Sequence, residues 1–263
     1  MTENRSRAAA LIAAARLART PLARLGGACR PGDEAEGYAV QDLVHARLVA
    51  AGGGRRVGYK IGCTTPVMQA MLEIDHPCAG GVLAGAVHER RATIAGAQLV
   101  RPGVECEIAL RLGRDLAAAD APHCAETVAD AVDACMAAIE IVEDRYRDHR
   151  ALGVPTLLAD DFFGFGCVLG RPVTAWRPFD LATLRATTHI DGQVVGEGVA
   201  GDVMGHPFEA LAWLANRWAE RGRGLERGAL VLTGSIVAVA WLDGAAEIRA
   251  TVEGLGEAWL RVT

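Results

Sequence analysis

Lysine is almost absent from this chain of 263 residues. Lys60 stands alone among 27 basic side chains, and every other one is arginine. Arginine stays charged at any biological pH, whereas an amine shifts its pKa and can trade a proton. Either an arginine-rich coding bias spared one lysine, or chemistry that a guanidinium cannot perform retained it. The seven cysteines (29, 63, 78, 106, 124, 135 and 167) are odd in number and form no Cys-x-x-Cys pair. That argues against a disulfide framework and a zinc knuckle, and points to a reducing, cytoplasmic setting. No apolar run reaches 18 residues, so no transmembrane helix is expected. A basic excess is missing too: the net charge is −5 and the arginines are scattered, which favours neither nucleic acid nor a membrane surface as partner.

What is present describes an ordinary globular chain, 51% hydrophobic and 22% charged, without repeats or low-complexity tracts. The alanine- and arginine-rich first 25 residues read as an amphipathic helix rather than a transit peptide, because Glu3 interrupts the basic start and no cleavable hydrophobic core follows. From residue 5 to about 75 apolar positions recur at helical spacing, with glycines 52 to 54 stopping a second helix. After about residue 95 short strand-like runs take over: 98–101, 104–112, 139–146 and 167–169. Asp191-Gly192 between two such runs predicts a type I′ hairpin. Pro207 opens a helix with a stripe of Leu211, Trp213, Leu214 and Trp218, and three runs (229–241, 247–252, 257–262) close the chain. Strands outnumber helices and do not alternate with them, which predicts an α+β fold with a mostly β core.

Val104 to Leu110 alternates at period two, so Glu105 and Glu107 share a face, roughly 6–7 Å apart along the strand. A solvated glutamate face would need no further account. Glu140 is different, because Met136 to Val142 is otherwise apolar and the fold must bury this carboxylate at least partly. A buried ionised carboxylate costs several kcal/mol unless paired or metal-bound. Arg145, near in sequence, is one source of the cation. A hard divalent ion is the other, since three glutamates without a His or Cys pattern suit oxygen-ligand metals better than zinc.

Several motifs occur in order: Gly58-Tyr59-Lys60-Ile61-Gly62 with Thr64, Pro66 and Gln69; Asp75-x-Pro77; Pro102-x-Val104-Glu105-x-Glu107-Ile108-Ala109; Glu140-Ile141-Val142-x-x-Arg145; Ala159-Asp160; Gly205-His206-Pro207; Ala212-Trp213-Leu214-Ala215; and Leu232-Thr233-Gly234-Ser235. From about residue 35 to the C-terminus the chain thereby resembles the 2-keto-4-pentenoate hydratases and 4-oxalocrotonate decarboxylases of the fumarylacetoacetate hydrolase superfamily. The resemblance implies a mixed β-sandwich or β-roll core with an N-terminal helical part (1–90), a β-rich metal-binding catalytic part (91–263) and one long helix against the sheet. It implies Mg2+ or Mn2+ on Glu105, Glu107 and Glu140, with Lys60 and Asp160 catalytic and Phe162, Thr233 and Ser235 at the substrate. The implied substrate is a small unsaturated 2-oxo acid from meta-cleavage of aromatic compounds. Homo-oligomerisation and association with a pathway enzyme are implied as well.

Two departures stand out. Where the family usually has D-F-G, this chain reads Cys78-Ala79-Gly80, so Cys78 is either a weak substitute for the acid or packing. Where the family typically has D-N-A-S, this chain reads Asp160-Asp161-Phe162-Phe163. If that loop lines the substrate tail, the two rings disfavour a distal carboxylate, which favours a hydratase over an oxo-hexenedioate decarboxylase. Hydrolysis of an acylpyruvate C–C bond and a non-catalytic assembly role are the further alternatives.

Overall fold

Alanine has the highest helix propensity, and the alanine-rich start folds as α1 (Thr2–Ala18) in a computed structural model that describes residues 2–263. Its buried face, Ala8, Ala9, Ile12 and Ala13, packs on α2 (Glu34–Leu48). Asp33 caps α2 by accepting from the backbone N–H of Glu36, and Glu34 and Glu36 set negative charge against the positive helix end. A π-helical turn, Val49–Gly53, ends it.

The helical reading then fails. Arg56–Gly62 is a strand, β1, which lies parallel to β10 (Leu230–Ser235) and antiparallel to β2 (Cys78–Leu83). Gly58 permits this, because a Cβ there would sit 2.3 Å from the Leu230 carbonyl oxygen. Only the short α3 (Pro66–Leu72), capped by Thr65, continues the helical pattern.

β3 (Val87–Glu89), β5 (Pro102–Leu112), β6 (Val132–Glu143), β7 (Gly164–Leu169) and β11 (Ala240–Trp241) complete the larger sheet. Its order is β2-β1-β10-β5-β6-β7-β3, with β11 also pairing β5. β2 touches β7, so the sheet curls into a roll. Strands from before residue 90 sit inside it, and a division there runs through one sheet. β6 begins at Val132 rather than Ile139, and residues 98–101 form a turn instead of a strand.

The smaller sheet has the order β4-β13-β12-β8-β9, built from Arg91–Ile94, Gly256–Val262, Ala246–Val252, Arg185–Ile190 and Gln193–Val199. The hairpin between β8 and β9 turns at Asp191 and Gly192, both at positive φ (50° and 79°), as their sequence requires. β5 and β6 stack on β8, β12 and β13, with the Cys106 thiol donating to the Thr251 carbonyl at 3.7 Å. Two more short helices, α4 (Ala125–Ala129) and α5 (Val154–Ala159), precede the long α6 (Pro207–Ala219). Trp218 of α6 meets Tyr38 of α2 and Tyr59 of β1 edge-on, with centroids 5.9 and 5.0 Å apart, and so braces the strand that carries Lys60. Trp213 of the expected stripe is only half-buried.

Candidate metal centre and adjoining cleft

Antiparallel register places Glu105 of β5 directly opposite Glu140 of β6. Period-two alternation brings Glu107 to the same side, and one carboxylate oxygen from each residue lies within 4.8 Å of the others. The cluster stands on an apolar floor that includes Ala109, Met136, Ala138, Cys167 and Leu232. Glu107 and Glu140 are buried, while Glu105 opens onto a cleft.

Hydrogen bonds do not satisfy these acids. Glu107 Oε2 accepts from the backbone N–H of Gly234 at 2.9 Å, but Glu107 Oε1 and both Glu140 oxygens have no aligned donor. Gly234 can come this close because it lies at φ 117° and a Cβ would collide with Thr64. Lys60 Nζ, 3.2 Å from Glu140 Oε1, is a charge partner rather than an aligned donor. Three carboxylates facing one ammonium leave two negative charges uncompensated. Burial and Glu140 push the Glu105 pKa up to about 7 against the opposing charge of Lys60. Burial, Glu140 and Glu105 drive Glu107 well above the usual carboxylate range. A divalent ion with hard oxygen preference matches this donor set and cancels the excess charge. The expected rival cation is engaged elsewhere: Arg145 pairs with Glu143 at 3.1 Å and Asp160 at 3.2 Å, not with Glu140.

Lys60 is 4% exposed, and its Nζ donates to the carbonyl of Phe162 at 3.1 Å. Burial lowers its pKa, but Glu140, Glu105 and Glu107 outweigh that and hold it as ammonium. The receiving carbonyl belongs to a strained segment. Asp161, Phe162 and Phe163 all lie at positive φ (56°, 48° and 68°), at a cost of order 1–3 kcal/mol each. The Asp161 carboxylate anchors the segment by accepting from Arg16 Nη1 at 2.6 Å and from the backbone N–H of Gly81 at 2.8 Å, and by lying 2.7 Å from His45 Nε2. Burial pushes its pKa up, yet His45, Arg16 and Gly81 together hold it below the usual carboxylate range. Arg145 Nη1 donates to the carbonyl of Gly164 at 3.1 Å and closes the other end.

Of the residues expected at the site, Lys60, Glu105, Phe162 and Ser235 line a cleft of about 580 Å³, with Glu107 and Glu140 behind them. Asp160 does not reach it. Its carboxylate accepts from the Tyr146 hydroxyl at 2.8 Å and Arg145 Nε at 3.2 Å, which ties it to the loop rather than to the cleft. Thr233 is likewise diverted, being fully buried with its hydroxyl donating to the carbonyl of Ile108 at 2.9 Å. Ser235 lines the cleft, but its hydroxyl donates to the carbonyl of Val237. Cys78 is fully buried, and a hydrogen bond to Cys63 together with burial pushes its thiol well above the usual thiol range. Sequence reasoning passed over Arg16, His45 and Asp161. An arginine on one helix and a histidine on another carry no local signal of a shared partner more than a hundred residues away.

The match of residues 86–263 to the fumarylacetoacetate hydrolase C-terminal family model covers the whole glutamate cluster. A 2-keto-4-pentenoate hydratase of Paraburkholderia phymatum is 37% identical over 251 residues, spanning 94% of this chain and 93% of the relative. Another of that name from Burkholderia vietnamiensis is 36% identical over 238 residues, spanning 89% and 88%. Among solved structures, 4-oxalocrotonate decarboxylase of Pseudomonas putida G7, complexed with magnesium and adipate, superposes with a TM-score of 0.92 at 25% identity, covering 100% of this chain and 98% of that one.

Proposed function

Since this chain belongs to the fumarylacetoacetate hydrolase family, we propose that it is a divalent-metal-dependent hydratase, which adds water to a 2-hydroxy-2,4-dienoate to give a 4-hydroxy-2-oxo acid in meta-cleavage degradation of aromatic compounds. One observation carries this: an under-neutralised cluster of Glu105, Glu107 and Glu140 beside a buried ammonium, at the inner end of a cleft. The metal is Mg2+ or Mn2+. When bound by the three glutamates it supplies Lewis-acid stabilisation of negative charge on the 2-oxo oxygen.

In the net reaction a water oxygen bonds to C4, a proton reaches C3, and the dienol proton is exchanged for one at C5. Lys60 is the protein group equipped to hold or move such a proton at Nζ. The Phe162 carbonyl and Glu140 fix that nitrogen from two directions, which keeps it oriented toward the cleft end where Glu105 is accessible. Phe162 and Phe163 make the wall beside it apolar. Free thiols at all seven cysteines agree with a cytoplasmic setting, and among the described residues no helix is long and apolar enough to cross a membrane. A homo-oligomer that associates with a pathway enzyme belongs to the same proposal.

Likeness to a decarboxylase keeps loss of CO2 from a 2-oxo-hexenedioate as the second reading. Supplying both substrates to magnesium-loaded protein and assaying bicarbonate together with hydration product separates the two. Glu105→Gln is expected to abolish turnover and divalent-ion binding together. Full turnover by thoroughly metal-stripped protein would refute the metal-dependent reaction.

A further inference from the structure

A second cavity, of about 620 Å³, lies behind the strand that carries Lys60. Successive strand residues point to opposite faces, so Tyr59 lines this cavity while Lys60 faces the cleft. The C-terminal half of α2 and the segment 223–229 supply the other walls.

Its charge runs against that of the chain as a whole. The net charge is −5, yet the guanidiniums of Arg55, Arg56, Arg223 and Arg227 line the cavity against two carboxylates, those of Asp42 and Glu226. Asp42 is already crowded. Arg223 donates to both its oxygens at 3.0 and 2.9 Å, Arg221 donates at 3.1 Å, and Arg56 stands 3.9 Å away. Burial and the nearby guanidiniums of Arg223 and Arg217 lower the Arg221 pKa more than Asp42 raises it. Arg55 and Arg227 are exposed, and their side chains pair with no carboxylate among the described residues. Guanidinium forks match carboxylate and phosphate oxygens two at a time, and a concave surface with surplus positive charge concentrates anions. Val49, Val57 and Tyr59 add apolar surface for the body of such a ligand.

One wall residue also reaches the loop over Lys60. His45 is 5% exposed, and its Nε2 lies 2.7 Å from the Asp161 carboxylate that anchors this loop. Its other ring nitrogen, Nδ1, is buried without a hydrogen-bond partner. A polar atom left in that state costs free energy that a new partner recovers.

We propose that this cavity is an effector site for a small organic dianion, a phosphate monoester or a dicarboxylate, held by Arg55, Arg56, Arg223 and Arg227. An oxygen of the bound anion gives His45 Nδ1 the acceptor it lacks. The imidazole then grips Asp161 from a fixed position, so occupancy steadies the 161–163 loop, whose Phe162 carbonyl accepts from Lys60. The site does not depend on which reaction the cleft performs.

Phenyl phosphate and isophthalate test this, because both are dianions on the same ring and phenol is their neutral counterpart. Calorimetry on the magnesium-loaded protein should show a dianion binding and phenol not binding, and the preferred dianion tells a phosphate site from a carboxylate site. An equal Kd on metal-stripped protein separates this cavity from the glutamate cluster. Arg55→Gln combined with Arg227→Gln alters two exposed side chains that hold no ion pair, and should weaken binding about tenfold or more. Amide hydrogen exchange across 161–164 should slow when the dianion binds the parent, and the slowing should be lost in His45→Gln at saturating ligand. Any one of four results would overturn the effector site: neither dianion binds, binding disappears with the magnesium, Kd is unchanged in the double variant, or exchange across 161–164 ignores the ligand.

Discussion

Arg16, in the first helix, and Asp161, in the strained loop over the Lys60 ammonium, meet at 2.6 Å across 145 positions of sequence. Helix α1 lies outside the segment matched by the family model, yet it holds the segment that positions Lys60. Arg16→Ala removes a cation from a carboxylate that is 1% exposed and still contacted by His45 and Gly81. A loss of about 2 kcal/mol is expected, below the full cost of stranding a buried charge. Urea denaturation checks it, and kcat should fall more than KM rises because the loop, not the metal cluster, is loosened. Arg16→Lys should recover part of both.

Protonation of Asp161 should appear in the acid limb of stability. Its folded-state pKa is depressed, so its contribution is complete above the ordinary unfolded value near 4 and is lost as pH falls through the folded one. The stability difference between the parent and Asp161→Asn, measured by denaturant titration, should be present just above about pH 4 and shrink as pH falls below it. A difference that grows on acidification would contradict the sign.

Lys60 should not be replaceable by arginine. Lys60→Arg keeps the positive charge beside Glu140 but cannot trade a proton. Loss of about a hundredfold to ten-thousandfold in kcat, with magnesium still bound, is the expected outcome. Calorimetry with the ion and steady-state kinetics together check it. Near-normal kcat in this variant would remove Lys60 from proton transfer and leave it an electrostatic role.

Divalent ions should stabilise the parent against unfolding and fail to do so once a ligand is neutralised. At an ion concentration of about 100 times Kd the parent is expected to gain about 2.7 kcal/mol. Glu107→Gln, which alters a fully buried carboxylate with one unpartnered oxygen, should gain less than about 1 kcal/mol at the same concentration. Thermal melts with and without magnesium measure both.

Local periodicity makes part of this molecule legible in its amino-acid order. Alternation along 104–110 puts Glu105 and Glu107 on one face, the apolar surroundings of Glu140 bury its carboxylate, and Asp191-Gly192 dictates a hairpin; each depends on a few neighbouring residues, and each holds in the fold. The β-rich core follows from the same kind of pattern. Pairings remote in sequence lie beyond it. The strand 56–62 resembles a helix continuation until β10 arrives beside it from residue 230, and Asp160 and Thr233 look available until Tyr146, Arg145 and the Ile108 carbonyl take their polar atoms. Whether a side chain faces water, a ligand or a buried partner depends on what the rest of the chain places against it. Tertiary structure alone therefore decided that Arg16 and His45 anchor the 161–163 loop, and that α3 and the β10–β11 connection build an apolar cleft beside Lys60.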